Sequence, residues 1–446
     1  MNKTTRTTAN FGLRPLAAAL ILGGSLTSAF ATNGMNMEGY GPISTGMGGA
    51  SQSFDNGTAA MAQNPATLGL MSDGARLDVA VGVLGPKISA SKTGFPAADS
   101  SGTSYVMPAL GYARKSGSIT YGIGMFSQGG MGTEYDANSF LAATSGAPVR
   151  SELGVGKVII PLAYQASPEL TLGASFDFMW AGMDLLMAAS GAQLGGMVTA
   201  SSGNLGGALP TLGGAPWARI NFSDGDKNTG AAKATGYSAK LGGVYKVGKD
   251  ISVGGSYQFK SKLDDMKTAA GSASMTASNG FADTGTMTII DFQWPSIVAV
   301  GASWQASSAL MVAADLKSIG WADAMKSFRM RYDSTGMGGS VSFALPQNWK
   351  DQTVLSLGMA WKATEQLTLR AGVNLADNPI PEDMVNPLFP ATIKSHITGG
   401  FGYQITSNDA VNMAVTLAPK VSTTDSSGVT TTHEQTNLQL MYSHRF

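Results

Sequence analysis

The sequence predicts an all-β protein, a transmembrane antiparallel β-barrel of about 14 strands with an N-terminal plug in its lumen. Three observations carry this prediction. The chain opens with a secretory leader, alternates apolar and polar residues with period two from about Ala75 to its end, and places an aromatic residue before each short polar turn.

The leader comes first in the chain. Lys3, Arg6 and Arg14 form a basic region, Leu16 to Leu26 an apolar one, and Ala29-Phe30-Ala31 a small-residue cleavage site. The apolar run is too short to cross about 30 Å of hydrocarbon, so residues 1–31 are expected to be a signal peptide. Composition agrees with a membrane destination. Lys+Arg number 29 and Asp+Glu 29, so the formal net charge is zero, and 13% of residues are charged. That is about half the usual share for a soluble domain. Balanced charge gives no footprint for nucleic acid. With no cysteine, the chain has no disulfide, thiolate nucleophile or Cys-ligated metal.

Residues 32–74 are rich in Gly, Asn, Met and Ala and lack alternation, so they are not expected to be barrel wall. A barrel of about 14 strands leaks water unless it is filled, and this segment is the candidate filling.

Residues 75–446 carry the barrel pattern. Leu170, Leu172, Ala174, Phe176, Phe178 and Trp180 alternate with polar or small residues, and the same holds for Ile251 to Phe259, Leu310 to Leu316 and Leu367 to Leu375. Tyr112, Tyr164, Tyr245, Trp304, Trp361 and Tyr403 each precede a short polar turn, such as Ala166 to Glu169 or Val247 to Asp250. Long Gly/Ser/Pro-rich connections lie between these turns. Short turns on one side, long loops on the other and an aromatic girdle distinguish a membrane barrel from a soluble sandwich. A closed barrel also leaves no sheet edge in lipid. Leu438, Leu440, Tyr442 and His444 alternate before the terminal Phe446. This end resembles the last strand of outer-membrane proteins, whose terminal aromatic is read by the barrel assembly machinery.

Several segments resemble a known family, the FadL-type outer-membrane transporters of long-chain fatty acids and other hydrophobic compounds, aromatic hydrocarbons included. They are Gly46-Met-Gly-Gly-Ala50, Asn64-Pro65-Ala66, Gly129 to Tyr135, Trp294-Pro-Ser296, Asn348-Trp-Lys-Asp351, Arg370-Ala-Gly-Val373 and Asp377 to Pro381, in that order along the chain. The resemblance implies a hatch carrying Asn64, Pro65 and Ala66, capture at extracellular loops, and sideways exit through a gap near the third strand. It implies passive uptake of hydrophobic small molecules, long-chain fatty acids foremost. A general diffusion porin and a barrel serving as adhesin or anchor are the competing readings.

The residues suggest where such steps occur. The connection from about Leu185 to Arg219 holds Leu185, Leu186, Met187, Leu194, Met197, Val198, Leu205, Leu209, Leu212 and Trp217. So apolar a loop is either a capture groove or a small core of its own. Gly129, Gly130 and Gly132, followed by Thr133 and Glu134, mark a bulge or kink and a candidate opening. Lys157, Lys260, Lys317 and Arg370 alternate toward the lumen, where they pair with the plug or with a substrate carboxylate. His396, His433 and His444 lack metal-ligand spacing, and neither a G-x-S-x-G elbow nor a Walker loop is present, so neither a cofactor nor catalysis is expected. The expected partners are the hydrophobic substrate, outer-membrane lipid with lipopolysaccharide, and the assembly machinery, the protein itself being a monomer in a Gram-negative outer membrane.

Overall fold

The structure, a computed structural model, describes residues 33–226 and 229–446. The signal-peptide reading of residues 1–31 lies outside the described residues.

One antiparallel sheet closes on itself. Its circuit begins with β1 (Gly74–Lys92), β2 (Tyr105–Ser116), β3 (Ile119–Tyr135), β4 (Val149–Gln165) and β5 (Leu170–Ala189). The next strands in chain order are β6 (Ala218–Phe222), β7 (Ala232–Val247), β8 (Ile251–Gln258), β9 (Met266–Lys267), β10 (Ala273–Ala277) and β11 (Ala282–Ile290). It finishes with β12 (Ile297–Gln305), β13 (Leu310–Ile319), β14 (Gln352–Lys362), β15 (Leu367–Ala376), β16 (Ser395–Gln404), β17 (Asp409–Thr424) and β18 (Val429–Arg445). β18 pairs with β1 from Arg76↔Arg445 to Lys92↔Val429, which closes the ring.

Of the 23 strands of this sheet among the described residues, 18 make up the circuit, which corrects the expected number of about 14. The difference sits in one place. β5 and β7 pair directly from Leu170↔Tyr245 to Met183↔Ala232, and beyond Met183 they part. There β5 passes its ladder to β6, and the circuit runs on through β10, β11 and β9 before it rejoins β7. These strands arise from segments that read as loops, because their Gly, Ser, Thr and Ala carry almost no alternation in hydropathy.

Alternation decides what each face of the wall meets. Outward side chains such as Phe176, Leu241, Val300 and Ile397 are 51–57% exposed, the reverse of a soluble protein, and suit contact with lipid tails. Tyr164, Tyr245, Trp304, Trp361 and Tyr403 also point outward next to the short turns, where a ring bearing one polar group suits the membrane interface. No helix of the described residues is long and apolar enough to cross a membrane.

Residues 33–71 are almost entirely buried inside the ring. They form a short helix, α1 (Gly41–Thr45), and two 3-10 turns, Gly57–Ala62 and Pro65–Leu70.

Candidate transport site

Hydrogen bonds between side chains and backbone groups, together with apolar packing, fix the N-terminal segment to the wall. Asn64 caps the turn that starts at Pro65, its Oδ1 accepting from the Ala66 amide at 3.1 Å. Its Nδ2 donates to Gln52 O at 2.8 Å and to Gly243 O on β7 at 3.1 Å. The approach is too close for side chains. A Cβ on Gly242 would stand 2.0 Å from Asn64 Oδ1, and one on Gly173 of β5 2.3 Å from the Ala66 nitrogen.

Lumenal charges complete the attachment. Asp315 Oδ2 accepts from the amides of Ser51 (2.6 Å) and Gln52 (3.1 Å), and Lys317 donates to Gly49 O at 3.1 Å. Lys240 donates to Ala62 O. Lys157 is fully buried between Asp177 (3.2 Å) and Gln258 (2.9 Å), and Arg370 reaches Asn412 at 3.1 Å. Lys157, Lys317 and Arg370 therefore face the lumen, and each already has a protein partner. Lys260 is a correction: it is exposed and pairs with Asp323 at 2.8 Å. Alternation breaks after Phe259, because Phe259 and Lys260 are both exposed where the ladder of β8 ends. Hydrogen bonding to Lys260 holds the Asp323 carboxyl below its ordinary range.

The third strand is where the wall opens. β2 and β3 pair only from Ser116↔Ile119 to Ala109↔Phe126. The next residue of β2 is Pro108, which cannot donate to a ladder. The next residues of β3 carry a bulge: Ser127 and Gly129 oppose Gly156 and Val155 of β4, leaving Gln128 extra. β2 stays with β1 as far as Tyr105↔Leu84, so the two strands separate there. Gly129, Gly130, Gly132, Thr133 and Glu134 lie just past the bulge and remain paired with β4. Thr133 Oγ1 reaches Pro387 O at 3.2 Å, and Glu134 O accepts from the Ser101 amide at 2.8 Å.

Residues 35–37 take the place that β2 vacates. Asn36 forms an antiparallel bridge with Gly129, flanked by Gly130 N–H to Met35 O (3.0 Å) and Met37 N–H to Gln128 O (3.4 Å). Tyr40 Oη donates to Gln128 O at 3.0 Å, and also lies 3.1 Å from Asn36 Oδ1.

A narrow cavity flanks each side of this patch. The inner one, about 20 Å³, is lined by Met35, Met131, Met183 and Met325, the rings of Phe292, Phe328 and Phe389, and Leu153 and Leu345. Its polar side chains are Gln347 and Asn386, and none is ionisable. The other, about 30 Å³, lies in the wall among Met37, Tyr40, Met107, Pro108, Phe126 and Ser127, and reaches Val81 on the lipid-facing side.

None of the ten apolar residues singled out in the loop 185–219 is exposed. Leu185, Met187, Leu194, Leu205 and Leu212 are buried, and Leu186, Met197, Val198, Leu209 and Trp217 are half-buried. Two short helices, Gly191–Gly196 and Gly203–Gly213, pack these side chains into a core at the long-loop end. Sequence reasoning missed Tyr40, the patch 35–37 and Pro108. Only Pro108 left a signal, a proline inside an alternating run.

Comparison with known proteins agrees with this geometry. Residues 18–444 match the family described as outer membrane protein transport protein (OMPP1/FadL/TodX). The chain is 31% identical to the Pseudomonas putida toluene transporter TodX, covering 92% of this chain and 99% of that one, with a TM-score of 0.81. For the Ralstonia pickettii toluene transporter TbuX the identity is 30%, the coverage 92% and 99%, and the TM-score 0.77. A Pseudomonas aeruginosa FadL homologue shares the fold at 15% identity, 93% and 100% coverage and a TM-score of 0.73. An uncharacterised Chlorobium limicola protein is 46% identical over 80 residues, and this chain spans 39% of its length. A closed barrel whose lumen is filled by its own N-terminal segment and whose wall parts at the third strand thus belongs, by sequence and by structure, to the FadL/TodX family of outer-membrane transporters of hydrophobic compounds, which are channels of the Gram-negative outer membrane and not enzymes.

Proposed function

We propose that the protein carries small neutral hydrophobic molecules inward, with monoaromatic hydrocarbons as the class that fits best, and releases them sideways into the bilayer between β2 and β3. The observation that carries this reading is the inner cavity, lined by methionine, phenylalanine and leucine with no ionisable side chain. Thioether sulfur and ring edges favour aromatic ligands. Long-chain fatty acids, which the family resemblance put first, bring a carboxylate, and burying one without a cation is costly. The likeness to two toluene transporters supports the same choice.

Residues 35–37 stand between the two cavities, with Met35 lining the inner one and Met37 the one in the wall. In the proposed route, the side chains of the core at residues 185–219 part to admit ligand from outside, and the inner cavity, about 20 Å³ as it stands, widens around it through its flexible methionines. Retreat of residues 35–37 then joins the cavities, while residues 41–71 stay anchored as a hatch. A small aromatic leaving an apolar site for water loses up to about 3 kcal/mol. A path that ends in lipid avoids that loss. The barrel works as a monomer, delivered by the assembly machinery through β18 and Phe446.

The test is uptake of labelled toluene and labelled oleate by cells lacking the gene, with and without the gene restored on a plasmid. Restored toluene uptake with oleate unchanged is expected. Restoration of oleate uptake alone would overturn the substrate class.

A further inference from the structure

We propose that the outward face of the barrel at β7 and β9, on the long-loop side, binds the phosphorylated headgroup of an outer-leaflet glycolipid through Lys233, Lys262 and Lys267. The first observation is an unfavourable pairing. Lys267 of β9 stands directly opposite Lys233 of β7, and both side chains are exposed. Both point outward, because Met266 and the neighbours of Lys233, Ala232 and Ala234, are buried inside. Like charges directly opposite one another destabilise a sheet unless an anion lies between them.

The second observation is that these cations have no ion-pair partner among the described residues, although their neighbours do. Arg329 is held by Asp291 at 2.9 Å and Arg331 by Asp333 at 2.7 Å. The remaining carboxylates beside the lysines are Asp264, next to Thr235, and Asp265, whose Oδ1 accepts from the Asp291 amide at 2.8 Å. Three lysines against two carboxylates leave the patch cationic.

The third observation says which anion. Lys262 pairs in register with Tyr237, and its Nζ lies 6.0 Å from the centre of that ring. Tyr237 stacks on Phe176 with centroids 6.2 Å apart, and Tyr257 meets Phe259 edge-on at 4.8 Å, all four rings facing outward. The wall therefore presents ammonium groups beside a band of interfacial aromatics. A soluble anion would use only the first. A lipid with phosphates on its headgroup and several acyl chains below uses both, and the long-loop side of an outer-membrane barrel faces the leaflet that contains such a lipid.

The test is native mass spectrometry of the full-length protein in detergent, with lipopolysaccharide, dephosphorylated lipopolysaccharide and inorganic phosphate as probes. The variant Lys233→Gln/Lys262→Gln/Lys267→Gln is expected to retain about tenfold less lipopolysaccharide than wild type, with wild-type toluene uptake and a normal heat-modifiable band. Lys420→Gln, elsewhere on the rim, is expected to bind as wild type. Equal retention by the triple variant, or an equal loss in Lys420→Gln, would overturn the site. Equal binding of the dephosphorylated lipid would remove phosphate from the recognition. Displacement of the lipid by millimolar inorganic phosphate would assign the patch to a free anion instead.

Discussion

The phenolic oxygen of Tyr40 donates to the backbone carbonyl of Gln128 at 3.0 Å, joining the residue that caps α1 to the extra residue of the β3 bulge. The carbonyl of Tyr40 itself accepts from Ser44 Oγ and from Gln63 Nε2, both at 2.8 Å, so its backbone belongs to the anchored part of the lumenal segment. Tyr40 therefore holds the bulge and residues 35–37 in one arrangement. Gly34 and Gly41, with φ of 66° and 72°, bracket the piece that this hydroxyl restrains.

Tyr40→Phe keeps the ring and removes the donor. A net hydrogen bond contributes about 1 kcal/mol, so the displaced arrangement of residues 35–37 should become about fivefold more populated. Toluene uptake by whole cells is expected to rise accordingly at low substrate. Unchanged uptake, with a folded barrel, would show that this bond does not control the partition.

A cross-link tests the same partition from the opposite direction. Met37 and Gln128 are directly opposite across the bridge, within reach of a disulfide, and the chain has no cysteine of its own. Met37→Cys with Gln128→Cys is expected to block uptake when oxidised and to recover it on reduction. Transport at an equal rate in both states would mean that ligand does not pass residues 35–37.

Asn64→Ala removes a cap and leaves the Gln52 and Gly243 carbonyls short of a donor. The local cost is about 1–3 kcal/mol, borne by the lumenal segment and not by the wall. Lower uptake, higher ion conductance in planar bilayers and an intact heat-modifiable band are expected together. Wild-type conductance and uptake would remove Asn64 from the mechanism.

Met325→Lys would place an ammonium at the inner cavity, where none of the lining residues is charged. Toluene affinity is expected to fall about tenfold, and binding of dodecanoate to appear, since a cation repays the burial of a carboxylate. Isothermal titration of the detergent-purified protein measures both. Dodecanoate binding equally well to wild type would show that the neutral lining does not select the substrate.

How far the sequence could be read follows from how each feature is encoded. Lipid-facing residues such as Leu172, Phe176 and Leu241 obey a period of two, and Tyr164 or Trp304 mark the short-turn end by type alone, so the wall was legible. β6, β9, β10 and β11 were not, because Ala273-Ser-Met-Thr-Ala277 reads as a polar loop until β6 and β11 pair with it. Lys260 was misplaced because strict alternation ignores the break after Phe259. The inner cavity was invisible for a different reason. Met35, Met183, Phe292, Met325 and Phe389 come together only when the barrel closes, and no local pattern connects them.

The exit itself is the last prediction. The wall parts because β2 offers Pro108 and β3 offers a bulge at Gln128 at the same height, and either device alone would leave part of the ladder able to form. Deleting Gln128 returns Gly129 to the register that Ser127 starts, and Pro108→Val restores an N–H to β2. Together they should let the β2–β3 ladder run past Ala109 and Phe126 and seal the gap. Uptake of toluene is expected to fall more than tenfold while binding in detergent is retained, because neither altered residue lines the inner cavity. Gly130→Val with Gly132→Val, which adds bulk to the segment just past the bulge without changing register, should give a milder loss of the same kind. A folding defect would show as loss of the heat-modifiable band and is read separately from uptake. Sealed variants that fold, bind and transport at the wild-type rate would rule out the wall as the exit and leave an axial path past the lumenal segment.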